Sequence, residues 1–419
     1  MKKNALVSFS GKSAVTATIY LTGSKSESNR ALVIAALSKG LVEVKNLSDA
    51  ADTVILNGIL QKLDRKATWV QTVDVGHAGT AMRFLTAFLS TTTGRFLLTG
   101  SKRMKERPVK LLVEALNTLG ASINYAEEEG YPPLEIAGGF TQKTASVSIK
   151  GDVSSQYLSA LLIIAPALEL GLTLTIEGYL TSRPYVEMTL KMLEEAGIMH
   201  TWTDNIIQIK KQEHQKATLI VEPDWSAASY WYSIVALLDD ATIALPHLKK
   251  ASLQGDSRIQ SIMTQLGVAT SRTAEGISLS KIAAPDAIGE ILDLQDCPDL
   301  AQTIIVCAAA KGLNLKFTGL ETLKIKETNR IKALQNELAK IGVELVEDNL
   351  IYTLDCGKLH FPEKVSFKTY DDHRMAMAFA PLSILIKAVE MEDMDVVEKS
   401  YPDFWKDLEK AGFTIKKAN

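Results

Sequence analysis

Cations, hydroxyls and carboxylates gather in this chain at the starts of helices, in six loops of one local design. Gly23-Ser-Lys-Ser-Glu-Ser-Asn-Arg30 runs into ALVIAAL, Gly76-His-Ala-Gly-Thr80 into AMRFLTAFL, and Gly151-Asp-Val-Ser-Ser-Gln156 into YLSALLIIAP. Asp224-Trp-Ser-Ala-Ala228 runs into SYWYSIVAL, Cys297-Pro-Asp-Leu300 into AQTIIVCAAA, and Tyr370-Asp-Asp-His-Arg374 into MAMAFAPLSI. The first N–H groups of a helix have no partner within it and lie at the positive end of its dipole, so each start suits an anion. The loop at Lys25 adds serine hydroxyls, an amide and two cations, one of them an arginine fork that matches carboxylate or phosphate. It is not a P-loop, because Gly-x4-Gly-Lys-Ser/Thr is absent. Two more basic stretches stand before helices, Arg103-Met-Lys-Glu-Arg-Pro108 and Lys324-Ile-Lys-Glu-Thr-Asn-Arg330. Alone, each reads better as a solvated loop, with Glu327 paired to a neighbouring lysine; Asp299, after Pro298 at another helix start, reads as a helix-capping acid. Asp371-Asp-His-Arg374 lies so close to an apolar helix that its charge is costly unless it serves a site or a cap.

The bulk numbers bound what these loops can serve. The 419 residues allow two or three domains, each with its own core. Net charge is −3 without a basic block, which disfavours a general nucleic-acid or membrane-surface role. Cys297, Cys307 and Cys356 lack metal spacing and read as reduced thiols of a cytoplasmic protein. Lys2 and Lys3 precede an apolar stretch too short for a signal peptide, and the longest apolar run, Ala160 to Leu168, is too short for a membrane span and holds Pro166.

The elements that must position the loops repeat. Ser154, Trp225, Pro298 and Asp372 recur at intervals of 71, 73 and 74 residues. A second, amphipathic helix follows each of these helices and ends at a glycine; Gly120, Gly197, Gly267, Gly342 and Gly412 are 77, 70, 75 and 70 apart. Glycine just past a helix end suits the left-handed cap. Strands are expected at Ala14–Tyr20, Thr173–Ile176, Ala217–Val221 and Leu315–Thr318. The unit is thus an α/β module of roughly 70 residues, repeated six times, with a buried first helix and a surface second one. The first copy is shorter and degenerate, its Leu56–Leu63 helix ending at Asp64.

Taken in order, GSKSESNRALVIAAL, AGTAMRFLTA, RMKERPVKLL, SSQYLSALL, SRPYVEMTL, KETNRI, DHRMAMAF and KSYPDFW resemble the 3-phosphoshikimate 1-carboxyvinyltransferase (5-enolpyruvylshikimate-3-phosphate synthase) family of enolpyruvyl transferases over nearly the whole chain. The resemblance implies an α/β fold of two domains, each of three βαβαββ repeats with buried parallel helices and outer mixed sheets. It places the N-terminal domain at 22–222, the other at 1–21 plus 223–419, and the active site in the interdomain cleft. The implied reaction moves the enolpyruvyl group of phosphoenolpyruvate to the 5-hydroxyl of shikimate 3-phosphate, releasing phosphate, with no metal or cofactor. Shikimate 3-phosphate would meet Lys25, Ser26, Arg30, Ser154, Ser155, Gln156, Ser182, Tyr185, Asp299 and Lys326. Phosphoenolpyruvate would meet Lys25, Gly79, Arg107, Gln156, Arg330, Arg374 and Lys399. Asp299 would take the hydroxyl proton, and Glu327 and Lys25 would serve the proton at C3.

Seven of these residues are cations, which are expected to repel one another in the empty site and to draw the domains closed when anionic substrates bind. Departures from the family pattern are His77 and Phe84 beside Gly79, and Thr322 near the sugar; Asp372 places a carboxylate next to an expected anion site. The rivals are the transferase that acts on UDP-N-acetylglucosamine, whose basic loop often carries a cysteine that Arg103–Pro108 lacks, and a non-catalytic anion-binding relative. A monomer is the simplest expected state.

Overall fold

The computed structural model describes residues 3–11, 14–249, 251–284, 289 and 291–418. Lys2 lies outside them. The chain forms two compact units, one of Gly23–Val221 and one of Met1–Thr22 with Glu222–Asn419.

In Gly23–Val221 two repeats are complete. Val70–Asp74, helix Gly79–Thr91, Gly94–Thr99, helix Lys110–Leu119, Ser122–Tyr125 and Leu134–Gly138 make one βαβαββ module. Its first two strands pair in parallel, and the last two return antiparallel against the second. Ser146–Lys150, helix Ser155–Ile164, Leu172–Glu177, helix Arg183–Glu195, Thr201–Thr203 and Ile206–Ile209 repeat that order. The alternation is plain in Ser146–Lys150, where Val147 and Ile149 are buried between exposed Ser146, Ser148 and Lys150. The third module is cut down to Ala217–Ile220 paired in parallel with Val42–Lys45, with helices Lys25–Leu37 and Ala51–Lys62 and no antiparallel pair.

Among the described residues the other unit holds three four-stranded sheets. Their buried helices are Trp225–Leu237, Ala301–Ala310 and His373–Phe379. All ten residues of Ala301–Ala310 are buried. Its sequence, AQTIIVCAAA, mixes β-branched bulk with alanines small enough to admit neighbouring helices, and each buried Ile or Val contributes about 1.5–3 kcal/mol. The second helices are amphipathic, as in Arg330–Leu338, and the glycines that end them have positive φ, from 73° at Gly342 to 119° at Gly120.

Two strands are exchanged between connectivity and pairing. Ala14–Thr18 runs on toward helix Lys25–Leu37 but pairs with Asp240–Pro246. Ala217–Ile220 runs on toward helix Trp225–Leu237 but pairs with Val42–Lys45. The N-terminal strand Asn4–Phe9 completes the last repeat, between Ala388–Met391 and Phe413–Ala418. The expected strands at Ala14, Thr173, Ala217 and Leu315 appear as Ala14–Thr18, Leu172–Glu177, Ala217–Ile220 and Lys316–Thr318. No helix among the described residues is long and apolar enough to cross a membrane.

Candidate active site

In Gly23–Val221 the starts of the three buried helices come together. Ser24 caps Lys25–Leu37 by accepting the Glu27 N–H, and Ser154 caps Ser155–Ile164 by accepting the Gln156 N–H. Gln156 donates its amide to Thr80 Oγ1 at 3.1 Å. Lys25 Nζ stands 3.9 Å from Asp52, a carboxylate that also lies 3.7 Å from His77. Arg30 is only 2% exposed. It donates to neutral oxygens throughout: Thr189 Oγ1 at 2.8 Å, Ser26 O at 2.9 Å, Ser159 Oγ at 3.0 Å and Tyr185 O at 3.3 Å. The rings of Phe84 and Tyr185 flank its guanidinium at 5.5 and 5.8 Å. Burial is the main influence on its pKa and lowers it to about 10, against weaker support from Tyr185 and Glu27.

Arg107 is buried beside Gly79. A Cβ on Gly79 would lie 2.4 Å from Arg107 Nη1 and 2.9 Å from Cζ, so the bare glycine makes room for the guanidinium. Of the three cations in Arg103–Pro108, Arg103 pairs with Glu106 and Lys105 with Glu127 at the surface; Arg107 alone is buried. Ser155 and Ser182 are buried, Ser182 in the left-handed conformation at the start of Arg183–Glu195. Ser26, Ser154, Gln156 and Tyr185 are half-buried.

The second unit gathers charge of both signs. Arg330, 1% exposed, sits at the start of helix Arg330–Leu338, which Asn329 caps. It binds Asp372 through Nε at 2.7 Å, Asp299 through Nη1 at 3.1 Å and Glu327 through Nη2 at 2.9 Å. Arg374 reaches the other oxygen of Asp299 at 2.8 Å, and Lys399 the other oxygen of Glu327 at 3.0 Å. Burial opposes the charge on Arg330, but Asp372, then Glu327 and Asp299, outweigh it and raise its pKa. Asp372 also accepts the Arg374 N–H, capping His373–Phe379. Arg374 lies 3.5 Å from Tyr230 Oη and 3.4 Å from Ser226 Oγ, and Ser226 donates to the buried Asp256. Burial, then the charge of Asp299, pushes Asp256 up to about 7.

A sequence model of the family described as EPSP synthase (3-phosphoshikimate 1-carboxyvinyltransferase) matches residues 9–408. The chain belongs to the EPSP synthase family. It is 47% identical over 411 residues to a Bacteroides fragilis protein named 3-phosphoshikimate 1-carboxyvinyltransferase, covering 97% of this chain and 98% of that one. A Paraburkholderia phytofirmans protein of the same name is 35% identical over 423 residues, covering 94% and 96%. Among solved structures, EPSP synthase from Acinetobacter baumannii superposes with TM-score 0.78 at 20% identity, covering 99% of this chain and 100% of that one. The enolpyruvyl transferase NikO from Streptomyces tendae superposes at 0.74 with 14% identity, covering both chains fully. At such identities these two structures speak to the fold alone, which is the mixed α/β enolpyruvyl-transferase architecture.

Set against that family's expected site, each unit brings one group of residues together. Lys25, Arg30, Ser155, Gln156, Ser182 and Tyr185 belong to one, and Asp299, Glu327, Arg330, Arg374 and Lys399 to the other. Lys326, half-buried, follows the turn Glu321–Ile325. The expected mutual repulsion of the cations needs correction. Arg330, Arg374 and Lys399 are matched by Asp299, Glu327 and Asp372, and Lys25 has Asp52 nearby. Asp372 is the counter-charge of Arg330 and a helix cap rather than a charge facing the anion unbalanced. Phe84 stacks on Arg30, and His77 faces Asp52. Asp52, Thr189, Ser226, Tyr230 and Asp256 escaped the sequence reading. The loop at Asp224 does join its cluster, through Ser226.

Proposed function

We propose that this chain transfers the enolpyruvyl group of phosphoenolpyruvate to the 5-hydroxyl of shikimate 3-phosphate, releasing phosphate. One observation carries the chemistry: Asp299 and Glu327, the two candidate proton acceptors, are each held by two cations, Asp299 by Arg330 and Arg374 and Glu327 by Arg330 and Lys399. The carboxylate and phosphate of phosphoenolpyruvate compete for those cations. As they bind, Asp299 and Glu327 exchange ion pairs for contact with the reacting groups.

The 5-hydroxyl oxygen then attacks C2, its proton passing to Asp299, while C3 gains a proton and becomes a methyl group. The resulting tetrahedral adduct loses a proton from C3 and breaks the C2–O bond to phosphate, which restores the double bond. Glu327 and Lys25 serve the proton at C3. Lys25, Ser26, Arg30, Ser154, Ser155, Gln156, Ser182, Tyr185, Asp299 and Lys326 hold shikimate 3-phosphate; Lys25, Gly79, Arg107, Gln156, Arg330, Arg374 and Lys399 hold phosphoenolpyruvate. General acid–base help supplies about 10²–10⁴-fold, and fixed cations around the developing charge supply more.

The test is phosphate release from phosphoenolpyruvate with shikimate 3-phosphate and, separately, with UDP-N-acetylglucosamine. Release with the first alone is expected. Release with the second alone, or with neither, would overturn the reading.

A further inference from the structure

The degenerate first repeat leaves something uncovered. After helix Ala51–Lys62 the chain passes to strand Val70–Asp74 of the next module, so no antiparallel pair joins Val42–Lys45. In complete modules the end of that pair closes over the last carbonyls of the buried helix. Gly139 N–H donates to Ser90 O at 2.8 Å, and Gln212 N–H to Pro166 O at 3.1 Å. At the end of Lys25–Leu37 a side chain stands in, with Arg65 Nη2 donating to Ala36 O at 3.1 Å. Ala35, Ala36 and Leu37 stay half-buried, whereas Ala87–Ser90 and Leu161–Ile164 at the matching ends are buried.

A cavity of about 720 Å³ lies there, walled in part by Leu37, Lys39, Arg65, Phe88, Pro166 and His214. Small-molecule sites typically span about 300–1,000 Å³. The guanidinium of Arg65 is set 5.8 Å from the Phe88 ring, and beyond Ala36 O its N–H groups make no hydrogen bond among the described residues. Lys39 forms no ion pair among them. Lys211, also on the wall, is paired with Glu169, which leaves Lys39 and Arg65 against the single exposed carboxylate of Glu213. His214 is 8% exposed, and its Nε2 has no hydrogen-bond partner among the described residues. Burial lowers its pKa, so the imidazole is neutral near pH 7.

We propose that this cavity is a second ligand site that takes a small organic carboxylate with a planar, apolar body. Its carboxylate meets the free edge of Arg65 and the Lys39 ammonium; its body lies against Leu37, Phe88 and Pro166, with a polar substituent toward His214. The site is distinct from the helix starts described above. Lys25–Leu37 has thirteen residues, which at the α-helical rise separates its two ends by roughly 20 Å.

Calorimetric titration of the full chain with 2-naphthoate tests this. Saturable binding is expected, and it persists in saturating shikimate 3-phosphate or phosphoenolpyruvate. The double variant Lys39→Glu, Arg65→Glu weakens it at least tenfold while phosphate release and Tm hold. Leu37→Trp, which fills the cavity without touching either charge, abolishes it and decides the matter if the charge-reversed protein is less stable. No saturable heat with the wild-type chain, displacement by either substrate, or unchanged binding in both variants overturns the proposal. Because the titration does not depend on turnover, its failure is distinct from failure of the proposed reaction.

Discussion

Arg30 and Arg330 are the same residue type, almost equally buried, in environments of opposite kind. Arg30 is surrounded by hydroxyls, carbonyls and two aromatic rings, and burial pulls its pKa down to about 10. Arg330 is surrounded by three carboxylates, and its pKa is raised. A desolvated guanidinium that bonds only neutral oxygens gains most from an incoming anion, because no ion pair must be broken. A guanidinium already paired gains only by exchange, and exchange frees a carboxylate. The first unit therefore suits simple binding, while the second suits binding coupled to proton transfer.

The largest expected effect falls on the exchange side. Glu327→Gln keeps the shape and an acceptor for one of Arg330 and Lys399 but removes the base, so kcat should drop by about 10²–10⁴-fold, well beyond any effect on Tm. Asp299→Asn should behave in the same way, and is a cleaner probe than Asp299→Ala, because it keeps an acceptor for one of Arg330 and Arg374 where alanine strips the partner from both. Wild-type turnover in both variants would break the division of labour.

Next come the two arginines themselves. Arg330→Met leaves Asp372, which is fully buried, and Glu327 without their guanidinium, a loss of about 3–5 kcal/mol by urea denaturation. Arg30→Met leaves only neutral acceptors, so its loss of stability should be smaller, about 1–3 kcal/mol, while the KM for shikimate 3-phosphate rises. Equal losses of stability in the two variants would remove the contrast between the units.

Smaller again is Gly79→Ala. The position is the first of its helix and φ there is not positive, so the backbone accepts alanine. The new methyl group would instead push the Arg107 guanidinium aside. The KM for phosphoenolpyruvate should rise about tenfold, with Tm held or raised and the KM for shikimate 3-phosphate unchanged. The family resemblance placed Gly79 among the phosphoenolpyruvate residues; the geometry adds Arg107 as the group that needs the space.

What the sequence made legible was local. Helix starts, their serine and asparagine caps, the glycine at the end of each second helix and the strand alternation all follow from residues a few positions apart. The pairing of charges did not, because Arg330 and Asp372 are 42 residues apart and meet only through packing of two repeats. Counting cations alone made the empty site look strongly repulsive, since carboxylates contributed by another repeat carry no local mark. Asp256 was missed for the same reason: its loop, Gln254–Arg258, has no cation run to draw notice, and it matters only because helix Trp225–Leu237 brings Ser226 to it.

Asp256 gives the finest test of the contrast, because it is a carboxylate beside the charged cluster that keeps its proton well above the usual carboxylate range, so that a fourth full negative charge develops only above about pH 7. Its pKa is raised from 3.8 to about 7, by burial first and by Asp299 second. Below about pH 4 folded and unfolded chains both hold the proton, and the site contributes its full stability. Between about pH 4 and 7 the unfolded chain releases the proton while the folded chain keeps it, so stability falls as pH rises; above about pH 7 the loss is complete. Asp256→Asn cannot ionise. Its stability relative to the wild-type chain should climb across that window and level off above it, as urea denaturation from acid to alkaline pH would register. A difference between the two chains that does not change with pH would mean that Asp256 is ionised in the folded state. Arg374 would then face one more carboxylate than proposed, and Asp256, Asp299, Glu327 and Asp372 would outnumber Arg330, Arg374 and Lys399 before any substrate arrives.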